Sequence, residues 1–403
     1  MSVSDSLDVE VDEAPPGPRW FWRHPALLSW LAVAVPVLLV QFFARKGSRG
    51  SVGDGLGRWV FGGWVHFDGP EYLQIAQQGY TARQVVWFPL YPTSIRAVTT
   101  VLRDPTLSAV LVSLVAGAAA AVLFFKWLEL RVPTRTARLA ALWVLLLYPY
   151  AWFLYGVVYS DALFLALVLG AFLLVEKDRF LLAGVVGAFA TATRPSGFAV
   201  VAGLLVVALD RTGVLVAAQE RLHPWWGRLG LPRRIDRSQL RPAPFLTLVA
   251  LVGLLGYMTY LWVEWERPLR FVEEQANYHD PNAASLLKQQ FFDAFYEGFA
   301  PSHLATTTFQ CVLLTAVLLS VPAVGRRFGW GYGVYVLCLA AFPAVSVSTF
   351  MGVGRYLLPA FPVAALVGEW LSTRRRLAVV WFAVCGALVL VMSVGFTRIW
   401  YLT

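Results

Sequence analysis

Charge is scarce in this chain. Only 14% of its 403 residues are Asp, Glu, Lys or Arg, where a soluble protein carries roughly 25%. Its only lysines are Lys46, Lys126, Lys177 and Lys288. So few charges cannot cover an ordinary solvated surface. Cysteine is just as sparse: Cys311, Cys338 and Cys385 each sit inside an apolar run, with no CxxC spacing and no Cys/His pairing. That pattern argues against a disulfide framework and a zinc site and for small core residues. The histidines, His24, His66, His223, His279 and His303, are scattered without ligand spacing, so no histidine-based metal site is expected. No fixed-period repeat runs along the chain. The chain opens on acidic residues where a secretory signal would begin with a basic region, and no A-x-A site follows the first apolar run, so that run is read as a retained membrane anchor.

What the chain has is apolar length. It is 58% hydrophobic, with 17 Trp and a mean hydropathy of +0.62, more than one soluble core of this size can hide. A spanning helix needs about 20 apolar residues, so eleven would use about 220. Eleven apolar runs are found: 26–43, 107–125, 139–153, 163–175, 181–192, 197–209, 245–263, 309–324, 331–350, 357–371 and 377–395. They are long and continuous, unlike the short alternating segments of a membrane β-barrel. The expectation is an all-α polytopic integral membrane protein, with about eleven transmembrane helices and a large first extracytoplasmic loop. The net charge of +9 then points to the anionic cytoplasmic leaflet and lipid phosphates, and not to nucleic acid.

Arginine sets the expected orientation, because cytoplasmic loops are enriched in Lys and Arg. Residues 210–244 carry seven arginines against three acids and are read as a basic cytoplasmic loop. Residues 264–308 carry seven acids against three bases and fall on the opposite side. Counting spans from there gives a disordered cytoplasmic tail at 1–25, a transmembrane domain at 26–395, a first extracytoplasmic loop at 44–106 and an extracytoplasmic tail at 396–403. The tail assignment rests on its acids and prolines, which cannot bury enough apolar surface to order themselves. One loop disagrees with the count. The 44–106 loop carries Arg45, Lys46, Arg49 and Arg58 near a membrane boundary, an exception that invites a functional explanation such as phosphate binding.

The densest polar and aromatic cluster is HFDGPEYLQIAQQGY, His66 to Tyr80, followed by WFPLYP, Trp87 to Pro92, and Arg96. Asp68, Pro70 and Glu71 have the spacing of a helix start, with Asp68 as the capping carboxylate and Leu73, Ile75 and Ala76 turned toward the membrane. The same carboxylate, fixed at the membrane surface and kept ionised by backbone N–H groups, is also placed for chemistry. Both readings stand at this level.

The pattern FDGPEYLQIAQQGY followed by FPLYPTSIR resembles the first external loop of bacterial PIG-V-like mannosyltransferases. Four further segments resemble that family in the same order: YSDALFLAL (Tyr159 to Leu167), TRPSG (Thr193 to Gly197), RPLRFVEEQ (Arg267 to Gln275) and GRYLLPAFP (Gly354 to Pro362). The likeness covers roughly residues 60 to 370. It departs at Phe67, where the family usually has Trp, and at Asp161, where it often has Glu. The resemblance implies a GT-C glycosyltransferase of the cell membrane whose active site faces away from the cytoplasm. Its donor would be a polyprenyl-phosphate hexose, mannose in this family, and its acceptor a lipid or glycan. Asp68 occupies the position of the family's catalytic base. Inverting transfer needs one carboxylate to take the acceptor proton while the phosphate leaves on the opposite face.

Charged residues near spans are functional candidates by default. Arg194 and Arg355 are read as a fork for the donor phosphate, against snorkelling or helix-end pairing. Asp161 either orients an arginine or contacts sugar hydroxyls, unless it only caps the next helix; Glu71 has the same alternative. His66 is a substrate-binding candidate against a satisfied loop residue. Trp87 and Tyr91 are candidates for stacking on a sugar ring, against interface anchoring. A different class of function, a transporter or flippase for a lipid-linked or anionic solute, would use the same charges to line a path. Transporters usually carry paired repeats with broken helices, and none is visible. A third reading is a non-catalytic subunit, against which the presence of Asp68 argues.

Overall fold

The computed structural model describes residues 24–44, 55–216, 234–278, 301–346, 350 and 352–398. The acidic tail, Arg45, Lys46 and Arg49, the middle of the basic loop, the middle of the acidic loop and the last five residues lie outside that set. The described chain is all-α apart from one two-residue antiparallel pairing, Leu215–Val216 with Arg234–Ile235, at the two ends of the basic loop.

The elements in order are α1 (Pro25–Ala44), α2 (Gly55–Phe61), α3 (Gly69–Gln78), α4 (Leu90–Leu102), α5 (Pro105–Arg131), α6 (Arg135–Leu146), α7 (Asp161–Val175), α8 (Phe180–Thr191) and α9 (Phe198–Arg211). After the basic loop come α10 (Leu251–Trp265), α11 (Arg270–Tyr278), α12 (Pro301–Phe328), α13 (Trp330–Ser346), α14 (Val353–Tyr356), α15 (Phe361–Ser372) and α16 (Arg375–Thr397). A 3₁₀ turn, Ala243–Ala250, runs directly into α10.

Among the described residues, five stretches are long and apolar enough to cross a membrane: Pro25–Ala44, Pro105–Arg131, Ala243–Trp265, Thr306–Phe328 and Arg375–Thr397. Asp161–Val175, Phe180–Thr191, Trp330–Ala344 and Phe361–Ser372 are apolar but shorter. This is the make-up of a membrane-embedded helical protein. Large apolar side chains such as Leu39, Val115, Leu319 and Val379 stay exposed on those helices, as a lipid-facing surface requires.

Local chemistry explains the boundaries. The Asp104 carboxylate accepts the Leu107 N–H at 2.9 Å and Pro105 follows it, a capped start for the 27-residue α5. Thr134 caps α6 by accepting from the Ala137 N–H at 3.3 Å. The run expected at 139–153 is interrupted: α6 stops at Leu146 and a 3₁₀ turn, Ala151–Leu154, follows. Pro149 lies between them, and a proline disfavours helical geometry in the residue before it. The run expected at 357–371 likewise becomes a turn through Pro359 and a helix that begins only at Phe361.

Helices pack closely where side chains are small. A Cβ on Gly368 of α15 would come within 2.2 Å of the Ala141 backbone of α6, the kind of approach that membrane helices use in place of a hydrophobic drive. Within the 44–106 segment, α3 and α4 are short and amphipathic. Tyr72, Leu73, Ile75 and Ala76 of α3 are buried inside the protein, so the apolar face expected to meet the membrane packs on the bundle instead.

Candidate active site

The segment 64–68 is laid against the segment 155–160. The Val158 N–H donates to the Trp64 carbonyl at 3.2 Å, the Trp64 indole to the Tyr155 carbonyl at 3.3 Å, and the Asp68 N–H to the Tyr159 hydroxyl at 3.0 Å. Phe67, just before Asp68, has φ +53°, an uncommon left-handed conformation for a bulky residue. Its ring is held 5.4 Å from that of Phe396. Backbone outliers of this kind collect at functional sites, where packing over-determines them.

Asp68 precedes α3 but does not cap it. Its backbone is helical, at φ −71° and ψ −17°, and its carboxylate takes no helix N–H. The capping reading fails because Arg355 claims the side chain: Nη1 donates to Asp68 Oδ2 at 2.9 Å. The Asp68 side chain keeps 31% of its surface exposed and that of Arg355 only 10%. Arg355 sits over the rings of Tyr159 at 4.9 Å, Tyr356 at 5.2 Å and Phe153 at 5.7 Å. Its position is set by Gly354, where a Cβ would run into the Tyr150 ring at 2.1 Å. The Gly354 N–H donates to Gln310 Oε1 at 3.1 Å and its carbonyl accepts from the Tyr148 hydroxyl at 2.9 Å. Burial works against the Arg355 charge, but the Asp161 and Asp68 carboxylates facing it prevail and hold the guanidinium well above its ordinary pKa.

Asp161 opens α7 and is fully buried; Arg194, just after α8, is 5% exposed. The two form a hydrogen-bonded ion pair. Arg194 lies 4.9 Å from the centre of the Tyr356 ring, on which Arg355 also rests. Both arginines are buried and paired, so snorkelling describes neither. Asp161 does not act as a mere cap. Two capacities stay unfilled: Asp161 Oδ2 and Arg355 Nε are buried without a hydrogen-bond partner.

Four of the residues singled out from the sequence, Asp68, Asp161, Arg194 and Arg355, therefore come together. The other four do not join them by any direct bond. Glu71 accepts from Gln84 Nε2 at 2.7 Å, and the same amide reaches Gln74 at 2.9 Å, which ties the start of α3 to residues 84–86. His66 is half-buried, with its ring 5.7 Å from that of Phe396; burial first, and Arg58 second, lower its pKa. Trp87 is half-buried against the core, and its carbonyl accepts from the Tyr80 hydroxyl at 2.6 Å. Tyr91 is wholly buried and its hydroxyl is paired with Ser113 at 2.8 Å. With no exposed face, it is a packing residue between α4 and α5 and not a stacking platform.

Three contributors escaped the sequence reading. Tyr159 and Tyr356 lie beside residues that were singled out, but only the fold turns their rings under the two arginines. Gln84 carries no sequence signal at all. Among the described residues, no group of three or more His, Cys, Asp and Glu is gathered as metal ligands would be. Chemically, the arrangement offers one part-exposed carboxylate of fixed orientation, backed by two buried cations and one buried counter-charge. No protein-family profile, curated protein or solved structure matches this chain.

Proposed function

We propose that this protein is a GT-C type membrane glycosyltransferase with about eleven spans, which moves mannose from a polyprenyl-phosphate donor to a lipid or glycan acceptor at the extracytoplasmic face. The observation that carries the reading is the Asp68 carboxylate: part-exposed, held by Arg355, and adjoining the buried Asp161–Arg194 pair. In the proposed reaction Asp68 takes the acceptor hydroxyl proton as the acceptor oxygen bonds to the anomeric carbon. The bond from that carbon to the phosphate oxygen breaks, polyprenyl phosphate leaves with the electron pair, and the anomeric centre inverts. A phosphate leaving group needs no second carboxylate as acid. Arg355, with Nε unpartnered, has spare donor capacity for that phosphate, while Asp161 holds Arg194 in place beside it.

The test uses the purified full chain with labelled polyprenyl-phosphate mannose and a panel of cell-envelope acceptors. The native protein should transfer label, and Asp68→Asn should lose about 100-fold to 10,000-fold in rate, the usual scale for a lost general base. Asn can still accept from Arg355, and the Asp161 carboxylate still faces that guanidinium, so the melting temperature should fall less than in Asp68→Ala. Asp68→Ala should melt lower, because it strands a buried guanidinium and not because a cap is lost. Absence of transfer to every acceptor, or near-native transfer by Asp68→Asn, would sink the proposal.

A further inference from the structure

The last helix, α16, turns much of its length outward: Val379, Val380, Trp381, Val384 and Val391 are exposed. Burial concentrates in its final two turns, at Met392, Ser393, Gly395, Phe396 and Thr397. The helix packs on α1 and against the turns at 62–64 and 151–154. Phe396 is wholly buried. Its ring centre lies 4.6 Å from that of Trp152, 5.4 Å from Phe67, 5.7 Å from His66, 6.0 Å from Tyr159 and 6.3 Å from Phe153.

Several of those rings are the supports of the candidate active site. Phe67 precedes Asp68 at φ +53°, a conformation that a bulky residue keeps only where its surroundings impose it. The Asp68 N–H donates to the Tyr159 hydroxyl at 3.0 Å. The Asp68 backbone is therefore fixed twice, through Phe67 and through Tyr159, and both rings rest on Phe396. One residue further back, the His66 ring is turned to the Thr397 backbone, which ties the same segment to the same end of α16. Arg355 shares part of this floor, lying over Tyr159 and Phe153. It also has anchors of its own, because Gln310 and Tyr148 bind the Gly354 backbone beside it.

We infer that Phe396 is a positioning residue of the proposed transferase: its ring holds Phe67 in the left-handed conformation and so aims the Asp68 carboxylate. It touches no reacting atom and acts through its neighbours. Phe396 lies outside residues 60 to 370, where the chain resembles the mannosyltransferases, and inside an apolar run that gives it no sequence signal. A leucine at 396 keeps apolar bulk and loses the ring against Phe67. Proton removal by Asp68 should then suffer, and the hold on the donor through Arg355 should not. The inference rests on the transferase reading.

The test measures transfer from labelled polyprenyl-phosphate mannose by the purified full chain and its variants, with melting temperature read in parallel. Phe396→Leu should lower kcat at least about tenfold, since a misplacement near 1 Å can cost about 100-fold, while the donor KM stays within about threefold. Phe396→Met takes its place if the leucine variant does not fold. Val389→Ala, two turns earlier on α16 and equally buried, should lower the melting temperature and leave kcat as it was, which separates packing from positioning. Phe67→Gly adopts the left-handed region without strain but gives up the ring that fixes it, so kcat should fall here too. Combined with Phe396→Leu it should be no worse than the poorer single variant, because both changes break one contact. Native kcat in a folded Phe396 variant, an equal fall in Val389→Ala, or a double variant whose loss is the product of the two single losses would overturn the inference and leave the transferase reading in place. A native protein that transfers no label removes both.

Discussion

The two ends of α7 carry charges of the same kinds arranged to opposite effect. At its start, Asp161 is fully buried against Arg194, and Asp68 with Arg355 stands beside them. At its end, about 22 Å away at 1.5 Å per residue, Glu176 gathers Arg131, Arg211 and the Tyr332 hydroxyl. Asp178 takes Arg211 at 2.6 and 2.8 Å, and the Trp127 indole donates to the Tyr332 hydroxyl at 2.7 Å. Arg327, paired with Glu369, also donates to the Arg131 carbonyl. This second cluster ties α5, α7, α9, α12, α13 and α15 together with its acceptors shared among several donors. Asp178 is 60% exposed there, and Arg211 28%. The first cluster is drier, rests on aromatic rings and leaves Asp161 Oδ2 and Arg355 Nε unsatisfied. A shared, partly wet network clasps helices; a buried one with unused capacity is suited to receive something.

The sharpest way to break the comparison is by side. If the two ends face opposite compartments, single cysteines at Gln77 and at Asp178, in a background lacking Cys311, Cys338 and Cys385, should show all-or-none and opposite labelling by an impermeant thiol reagent. Equal labelling of both from one side would put the two clusters on the same face and dissolve the contrast.

Next in size is the buried pair. Asp161→Asn leaves Arg194 without a counter-charge, and breaking one partner of a buried pair costs about 3 to 5 kcal/mol of stability. Removing both charges, as Asp161→Asn with Arg194→Gln, should recover much of the loss. Thermal melting in detergent measures both, and a double variant no better than the single would deny that the charges depend on each other.

Arg355→Ala should lower donor turnover by about 2 to 4 kcal/mol in transition-state binding if this arginine meets the leaving phosphate. Arg355→Lys should recover only part of that, since an ammonium keeps the charge and loses the planar fork. Normal kcat/KM for the donor in Arg355→Ala would assign the residue to structure alone.

The smallest effect belongs to the wet end. Arg211, chiefly through its hydrogen bond, lowers the Asp178 pKa, so the folded carboxyl protonates at lower pH than the unfolded one. The stability from this pair is complete above the ordinary Asp value of about 4 and fades as pH falls through the folded value. With Asp178 so exposed, Asp178→Asn should cost under about 1 kcal/mol at neutral pH. A larger loss in melting experiments would make the clasp a second buried site.

Much of this was legible along the chain. Scarce charge and continuous apolar length imply membrane helices, because burying charge in hydrocarbon is costly wherever it occurs in the sequence. Prolines such as Pro149 and Pro359 mark where apolar runs break, since their effect on the neighbouring backbone is local. Asp68, Asp161, Arg194 and Arg355 stand out individually for the same reason. Other properties depend on contacts that sequence spacing does not encode. Asp68 and Arg355 are 287 positions apart, so a carboxylate with the spacing of a helix cap is instead the partner of an arginine near the other end of the chain. Tyr91 and Trp87 look alike as aromatics in one motif, yet packing against α5 wholly buries the first and leaves the second half-buried. The sequence by itself determined what must avoid water and where the backbone must turn, because both follow from each residue and its near neighbours. Only the tertiary structure decided which charges neutralise one another and which hydrogen-bonding capacity is left open, because that depends on how distant segments close on each other.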